Sequence, residues 1–360
     1  MTSEKTNINT EKNIKESLQG LTFDKLSSFI LGEGFPKYRV EQVYKMIMQG
    51  KDYDEATNIP LEIKNMLSKK YNAISVSLES EFSSKSGAKK YLYRLNDGNV
   101  IEGVFMPHDY GNTLCVSTQI GCRMNCSFCA SGIGGLVRNL TADEIVGQVL
   151  LAERLNNTDT SKRAISNIVL MGSGEPLDNY ENVVKFLSII TSPKGINISP
   201  RNISLSTVGL TDGIRRLATS GYSVTLAISL HAPTDEKRKK LIPISNKYKL
   251  TEVMEAAKFY FEKTKRRLIF EYALTSDGNT DQATARELIN LLKGIPCHVN
   301  LIPLNIVDGK KIGKASAKQS TDFLDTLKKA SLSVTIRRSL GDDIEGACGQ
   351  LRHSRLAEQK

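Results

Sequence analysis

From residue 114 to residue 337 the sequence alternates short apolar, β-branched runs with longer runs of helical period, and this alternation constrains the fold most. Strand candidates cover residues 114–118, 166–171, 203–207, 224–230, 268–273 and 298–303. Helices at 142–155, 182–191, 211–220, 251–264, 281–292 and 318–330 fit between them, and a last strand at 333–337 closes the series. Thr141-Ala-Asp-Glu144 has capping-box spacing and marks the start of the first helix. Strands that are apolar along their whole length belong in a parallel sheet covered by helices. Six strand–helix units make either an open doubly wound sheet or a partial (β/α)6 barrel; an eightfold barrel needs two more units than the sequence supplies.

Upstream, residues 17–31, 38–49 and 60–71 read as short helices, punctuated by Gly32-Glu-Gly-Phe-Pro36 and Gly50-Lys-Asp. Residues 1–74 are thus expected to form a small N-terminal helical domain, either an RNA-docking module or a plain helical cap. Residues 75–110 shift toward a period of two and hold a hairpin turning at Asn96-Asp-Gly98. Glu102 sits in its second strand, where a solvent-facing position is the default reading. The barrel takes 111–339 and a polar tail 340–360.

A net charge of +10 with pI near 9.2 points to a polyanionic partner, nucleic acid before membrane. No run approaches the roughly 20 apolar residues of a membrane span. The first residues are polar, without the apolar core of a secretory signal, so the expected location is the cytoplasm. Cysteines stay reduced there, and a cluster of them implies metal binding or catalysis rather than disulfides.

Four of the six cysteines fall between 115 and 129, and Cys122, Cys126 and Cys129 form a C-x3-C-x2-C triplet with Phe128 before the last. A tetrahedral zinc or a cluster held wholly by protein wants four ligands, so a triplet leaves one metal position open. Three thiolates suit a 4Fe-4S cluster with one free iron. Zinc would need a fourth ligand from Cys115, His231, His298 or Cys348. In parallel α/β folds active groups gather at the carboxyl ends of strands. Gly172-Ser-Gly174-Glu175, Ser206-Thr207, Ser229-Leu230-His231 and Asn305 all fall at such ends. Cys297 reads as a core residue.

The triplet with Phe128 resembles that of radical S-adenosylmethionine (SAM) enzymes, and Gly172-Ser-Gly-Glu-Pro176 resembles their motif for the SAM amino group. Cys115-Val-Ser-Thr-Gln-Ile-Gly-Cys122, Val299-Asn-Leu-Ile-Pro-Leu-Asn305 and the 338–351 block, which includes Gly-Asp-Asp, Ala347-Cys348 and Gly-Gln-Leu351, narrow the likeness. Together they resemble the RlmN/Cfr family, over residues 35 to 352. The resemblance implies a partial (β/α)6 radical SAM barrel, one 4Fe-4S cluster on Cys122, Cys126 and Cys129, and SAM held by Gly174, Glu175, Ser206, Ser229, Leu230, His231 and Asn305.

It further implies RNA adenine methylation in 23S rRNA and tRNA, with two SAM per turnover. Cys348 carries the methyl group, Glu102 accepts the proton, and Cys115 forms a disulfide with Cys348 to release product; the solvent-facing reading of Glu102 gives way here. Gly174-Glu-Pro, Leu301-Ile-Pro-Leu-Asn305 and Gly341-Asp-Asp look like the branch acting at C2, with C8 methylation the alternative. Arg337-Arg338 departs slightly from the usual pattern. The implied partners are RNA and an electron donor such as flavodoxin or ferredoxin, with the chain a monomer. Arg201, the Lys-Arg-Lys-Lys run at 237–240, Lys265-Arg-Arg267 and Arg337-Arg338 are candidate phosphate contacts.

Overall fold

The structure is a computed structural model that describes residues 15–157, 162–276, 278–305 and 307–351. The polar first residues, 1–14, and the end of the tail, 352–360, lie outside the described residues.

Where one helix was expected over 17–31, the chain makes a single 3-10 turn capped by Ser17 and restarts at α1 (Phe23–Gly32). Thr22 causes the break: its hydroxyl accepts the Lys25 amide, the N-cap arrangement that begins a new helix. Then come α2 (Lys37–Met48) and α3 (Leu61–Lys70). Leu26, Ile30, Val43, Ile47 and Leu67 close a core of their own between these helices.

Strands β1 (Val76–Ser83), β2 (Lys89–Leu95) and β3 (Val100–Met106) form an antiparallel meander, with the expected hairpin as its second half. β4 (Thr113–Cys115) pairs antiparallel with β3 and parallel with the next strand, so the meander extends the main sheet. A two-stranded clasp follows, β5 (Gln119–Gly121) against β6 (Leu136–Asn139), with the cysteine triplet between its strands.

The rest alternates as expected: α4 (Ala142–Asn156), β7 (Asn167–Leu170), α5 (Tyr180–Ile190), β8 (Ile203–Thr207), α6 (Thr211–Ala218) and β9 (Thr225–Ser229). A short helix, α7 (Asp235–Leu241), comes next, then α8 (Leu250–Thr264), β10 (Leu268–Leu274), α9 (Gln282–Leu292), β11 (Cys297–Pro303), α10 (Ala317–Lys329) and β12 (Val334–Ile336). The sheet order is β1-β2-β3-β4-β7-β8-β9-β10-β11-β12. Sequential parallel strands with helical crossovers, β12 remaining at the sheet edge, make the expected partial barrel. Leu205, Leu226, Ile228, Phe270, Val299 and Leu301 fill its core.

Polar contacts help fasten the helical module to the barrel: the Ser17 amide donates to Asp143 (3.0 Å), and Arg154 pairs with Glu55 and donates to the Gly50 carbonyl (3.1 Å). The tail turns back over the sheet. Asp343 accepts from Ser84 and the Lys85 amide, and Gly349 and Leu351 carbonyls accept from the Ala130 amide (2.7 Å) and the Ser131 hydroxyl (2.8 Å).

Candidate active site

The clasp aims the cysteine loop. Arg138 on β6 donates to Asp97 in the hairpin turn and, with two nitrogens, to Glu144 in the first turn of α4. Glu144 also takes the Thr141 amide, so the expected capping box and the clasp share one carboxylate. On β5, Gln119 accepts the Glu175 amide (2.8 Å) and donates to Asn139 and Asp178. Gly174 must be glycine here. Its φ is +107°, and an added Cβ would lie 2.6 Å from Gln119 Cβ.

Cys122, Cys126 and Cys129 line one cavity of about 140 Å³ together with Gly174, Glu175, Ser206, Ser229 and His231. All three are free thiols. Burial pushes Cys122 up to about 12 and Cys126 well above the ordinary range, the neighbouring thiols adding to it. Crowded, desolvated thiols gain charge only beside a cation, which fits a metal centre. All three line the same cavity, as thiolates that hold one cluster must. Of the fourth ligands zinc would need, His298 lies apart, bonding Ser333 and Thr335 at the amino end of β11, and Cys115 lines the neighbouring cavity, while His231 and Cys348 share a wall with the triplet.

Glu175 is buried, with one oxygen accepting the Leu177 amide and the other the Val208 amide. Burial dominates, lifting its pKa to about 7. Ser206 and Ser229 face each other at 3.4 Å across adjacent strands. His231 holds a left-handed backbone (φ 58°) and stacks edge-on against Phe128, centroids 4.7 Å apart. The Ala273 amide donates to its Nδ1 (2.9 Å), which leaves the proton of the neutral ring on Nε2. Burial, then the Arg238 charge, drop its pKa to about 3.

A second cavity, about 640 Å³, opens beside the first and is lined by Cys115, His108, Tyr110, Asn305, Arg337 and the tail. Cys129, Gly172, Arg337 and Cys348 belong to both walls. Cys348 stands exposed at this junction, while Cys115 is buried with its pKa at about 12. Asn305 donates to the Cys348 carbonyl (3.2 Å) and accepts from Ser339, clamping the tail in place.

Three sequence expectations are revised. Glu102 does not face solvent, the bottom-up default; it is buried, with Lys90 at 3.7 Å, and lines a small cleft with Gln119 and Ser173 rather than either cavity. Leu230 lines neither cavity; its side chain is core and its carbonyl accepts from Arg238. Arg238 is no phosphate contact but fully buried, bonding the carbonyls of Val208, Ser229 and Leu230 at the ends of two strands. Its neighbour Lys237 is held by Thr284 and Glu287.

Sequence reasoning missed Glu271. It is 4% exposed in the wall of the smaller cavity, with one oxygen taking Asn300 and the other without a hydrogen-bond partner. A carboxylate inside an apolar strand was the available signal.

The Radical SAM superfamily matches residues 116–271. The chain is 44% identical over 343 residues to the probable dual-specificity RNA methyltransferase RlmN of Lachnoclostridium phytofermentans, covering 94% of this chain and 95% of that one. The protein of the same name from Clostridium perfringens strain SM101 is 46% identical over 342 residues, with 94% and 97% covered. A solved radical SAM methyltransferase from Sphaerobacter thermophilus superposes with a TM-score of 0.90 at 38% identity, over 94% of this chain and 100% of that one. With the triplet, the smaller cavity and the tail cysteine assembled as described, the chain belongs to the RlmN family of radical SAM RNA methyltransferases.

Proposed function

We propose that this protein methylates C2 of an adenine in 23S rRNA and in tRNA, carrying the methyl group on Cys348 and consuming two SAM per turnover. The observation that carries the reading is the place of Cys348, in the shared wall of a small cavity lined by the cysteine triplet and a larger one beside it. A methyl carrier must meet a small donor on one side and a large acceptor on the other.

Family membership implies a 4Fe-4S cluster and SAM. Cys122, Cys126 and Cys129 would hold the cluster; Gly174, Glu175, Ser206, Ser229 and His231, which line the same cavity, are assigned to SAM, and Leu230 and Asn305 are assigned to it by the resemblance alone. When bound, the pair supplies the one-electron chemistry that activates a methyl C–H bond, which an electron-poor ring carbon demands. The protein's own groups do the rest. The Cys348 sulfur takes the methyl group and presents it to the base. The family resemblance assigns the proton lost from the ring carbon to Glu102, which lies outside both cavities with Lys90 offsetting its buried charge. Cys115, across the larger cavity, pairs with Cys348 as a disulfide and frees the product. The α1–α3 module docks RNA, and a flavodoxin or ferredoxin supplies electrons.

The test is anaerobic reconstitution followed by mass spectrometry of digested RNA. We expect 2-methyladenosine; 8-methyladenosine would move the assignment to the other ring carbon, and no SAM-derived 5′-deoxyadenosine would refute the radical mechanism. Cys348→Ala should give no methylated RNA, while Cys115→Ala should leave protein joined covalently to RNA on a denaturing gel.

A further inference from the structure

The larger cavity runs from Cys348 and Cys115, at the carboxyl ends of the strands, to a turn at the amino end of β4. That turn, residues 108–111, is closed by the Gly111 amide donating to the His108 carbonyl (3.0 Å). Gly111 has φ +111°, and an added Cβ would stand 2.7 Å from Ser166 Oγ, so the turn is pressed against the start of β7 and only glycine fits. The Asn167 amide side chain donates to the Gly111 carbonyl (3.3 Å) and fastens it further.

The turn displays two rings. His108 and Tyr110 stack with centroids 4.7 Å apart and planes 9° from parallel. His108, half-buried, supports one face; Tyr110 is 77% exposed, higher than any other large hydrophobic side chain among the described residues. A ring held rigid from beneath and open above, at the mouth of a cavity leading to a reactive thiol, is the arrangement on which unpaired bases stack. Burial and the Arg337 charge lower the His108 pKa, which keeps the supporting ring neutral.

The surroundings are basic. Along the same amino edge of the sheet, Arg163, Arg201, Lys265 and Arg267 are exposed. Hydrogen bonds knit this edge together: Asn202 donates to the Ser166 carbonyl (3.2 Å) and Arg266 to the Arg201 carbonyl (3.3 Å). Guanidinium and ammonium groups beside a stacking ring suit a nucleic-acid backbone with its bases turned inward.

We propose that Tyr110, backed by His108, is a stacking platform for an unpaired RNA base next to the base that enters the cavity, with the basic edge taking the flanking phosphates. The proposal rests on the RNA methyltransferase reading and adds a substrate subsite to it. The chain has no tryptophan, so Tyr110→Trp places a single indole on the platform.

The probe is an RNA stem–loop with an unpaired adenine, added to the reconstituted Tyr110→Trp enzyme. We expect saturable quenching of the indole, at the RNA concentrations that give half-maximal retention on filters. Tyr110→Phe should bind near wild type. Tyr110→Ala should bind roughly 5- to 150-fold more weakly, the range for one base–aromatic stack. An abasic site beside the target adenine should remove the difference between Tyr110→Ala and wild type. Unquenched indole with wild-type binding by Tyr110→Ala, while the RNA is still methylated, would overturn the platform and leave the enzyme reading intact. Failure of the parent enzyme to bind or methylate any RNA would overturn both.

Discussion

Glu175 shows how burial sets the working state of one group. Its ordinary value of 4.5 rises to about 7 because the carboxylate is taken out of water. Below that value it is neutral and cannot offset the ammonium of SAM; above it the carboxylate is present. SAM affinity, read by equilibrium dialysis of reconstituted enzyme, should therefore strengthen from pH 6 to 8. Glu175→Gln should bind weakly and lose this slope; an unchanged slope would remove Glu175 from the amino-group site. Arg238 illustrates what one residue's sequence surroundings conceal. Among Lys237, Lys239 and Lys240 it looks like solvated charge, yet only the fold shows three carbonyls converging on it. Burial lowers its pKa to about 10, so it is still cationic at neutral pH. Arg238→Met should lower stability by about 3 kcal/mol in urea denaturation, because charge-assisted bonds to buried carbonyls are lost. Arg238 thus belongs to the fold, whereas His231 and Glu175, also buried, belong to the site because they line its cavity.

Elements were legible where apolar periodicity was strong. All seven parallel strands and six of the connecting helices were expected within a few residues of where they lie, since each buries a continuous apolar set. The misses share a cause. α7 reads Asp-Glu-Lys-Arg-Lys-Lys-Leu and has no apolar stripe, because its inward residue is Arg238. β5 and β6 span only three and four residues, too short to show a period, and their register is set by Arg138, Gln119 and their partners. β1 is exposed over most of its length and so lacks clean alternation. The clasp nevertheless determines where the cysteine loop points. Arg138→Ala should strand Asp97 and Glu144 without their shared cation, costing about 1–2 kcal/mol for a partly buried network. The iron bound per chain after reconstitution should fall with it, the far-UV circular dichroism staying near wild type. Full iron loading would show that the clasp is not needed to aim the triplet.

At the scale of the whole molecule, function depends on joining residues far apart in sequence. Cys115 and Cys348 line one cavity although more than 200 positions separate them, and the tail reaches it through Ala130, Ser131 and Asn305. The triplet, the Gly174-Glu175 turn and the tail block were readable because each is local and chemically distinctive. The aromatic turn at Tyr110, the unpartnered oxygen of Glu271 and the inward Arg238 were not, because each depends on what the fold brings against it. The charge of +10 alone did not locate a binding surface: Arg138 and Lys237 sit in ion pairs that add nothing to the net charge, Arg238 is buried among carbonyls, and the exposed cations include those of the amino edge of the sheet. The central claim is that this arrangement places a methyl group on C2 of an RNA adenine through Cys348. The most direct measurement is mass spectrometry of rRNA and tRNA digests from cells lacking the gene and complemented with wild type or Cys348→Ala. The account predicts that 2-methyladenosine disappears on deletion, returns with wild type and stays absent with Cys348→Ala; undiminished 2-methyladenosine in the deletion, or its return with the variant, would contradict it.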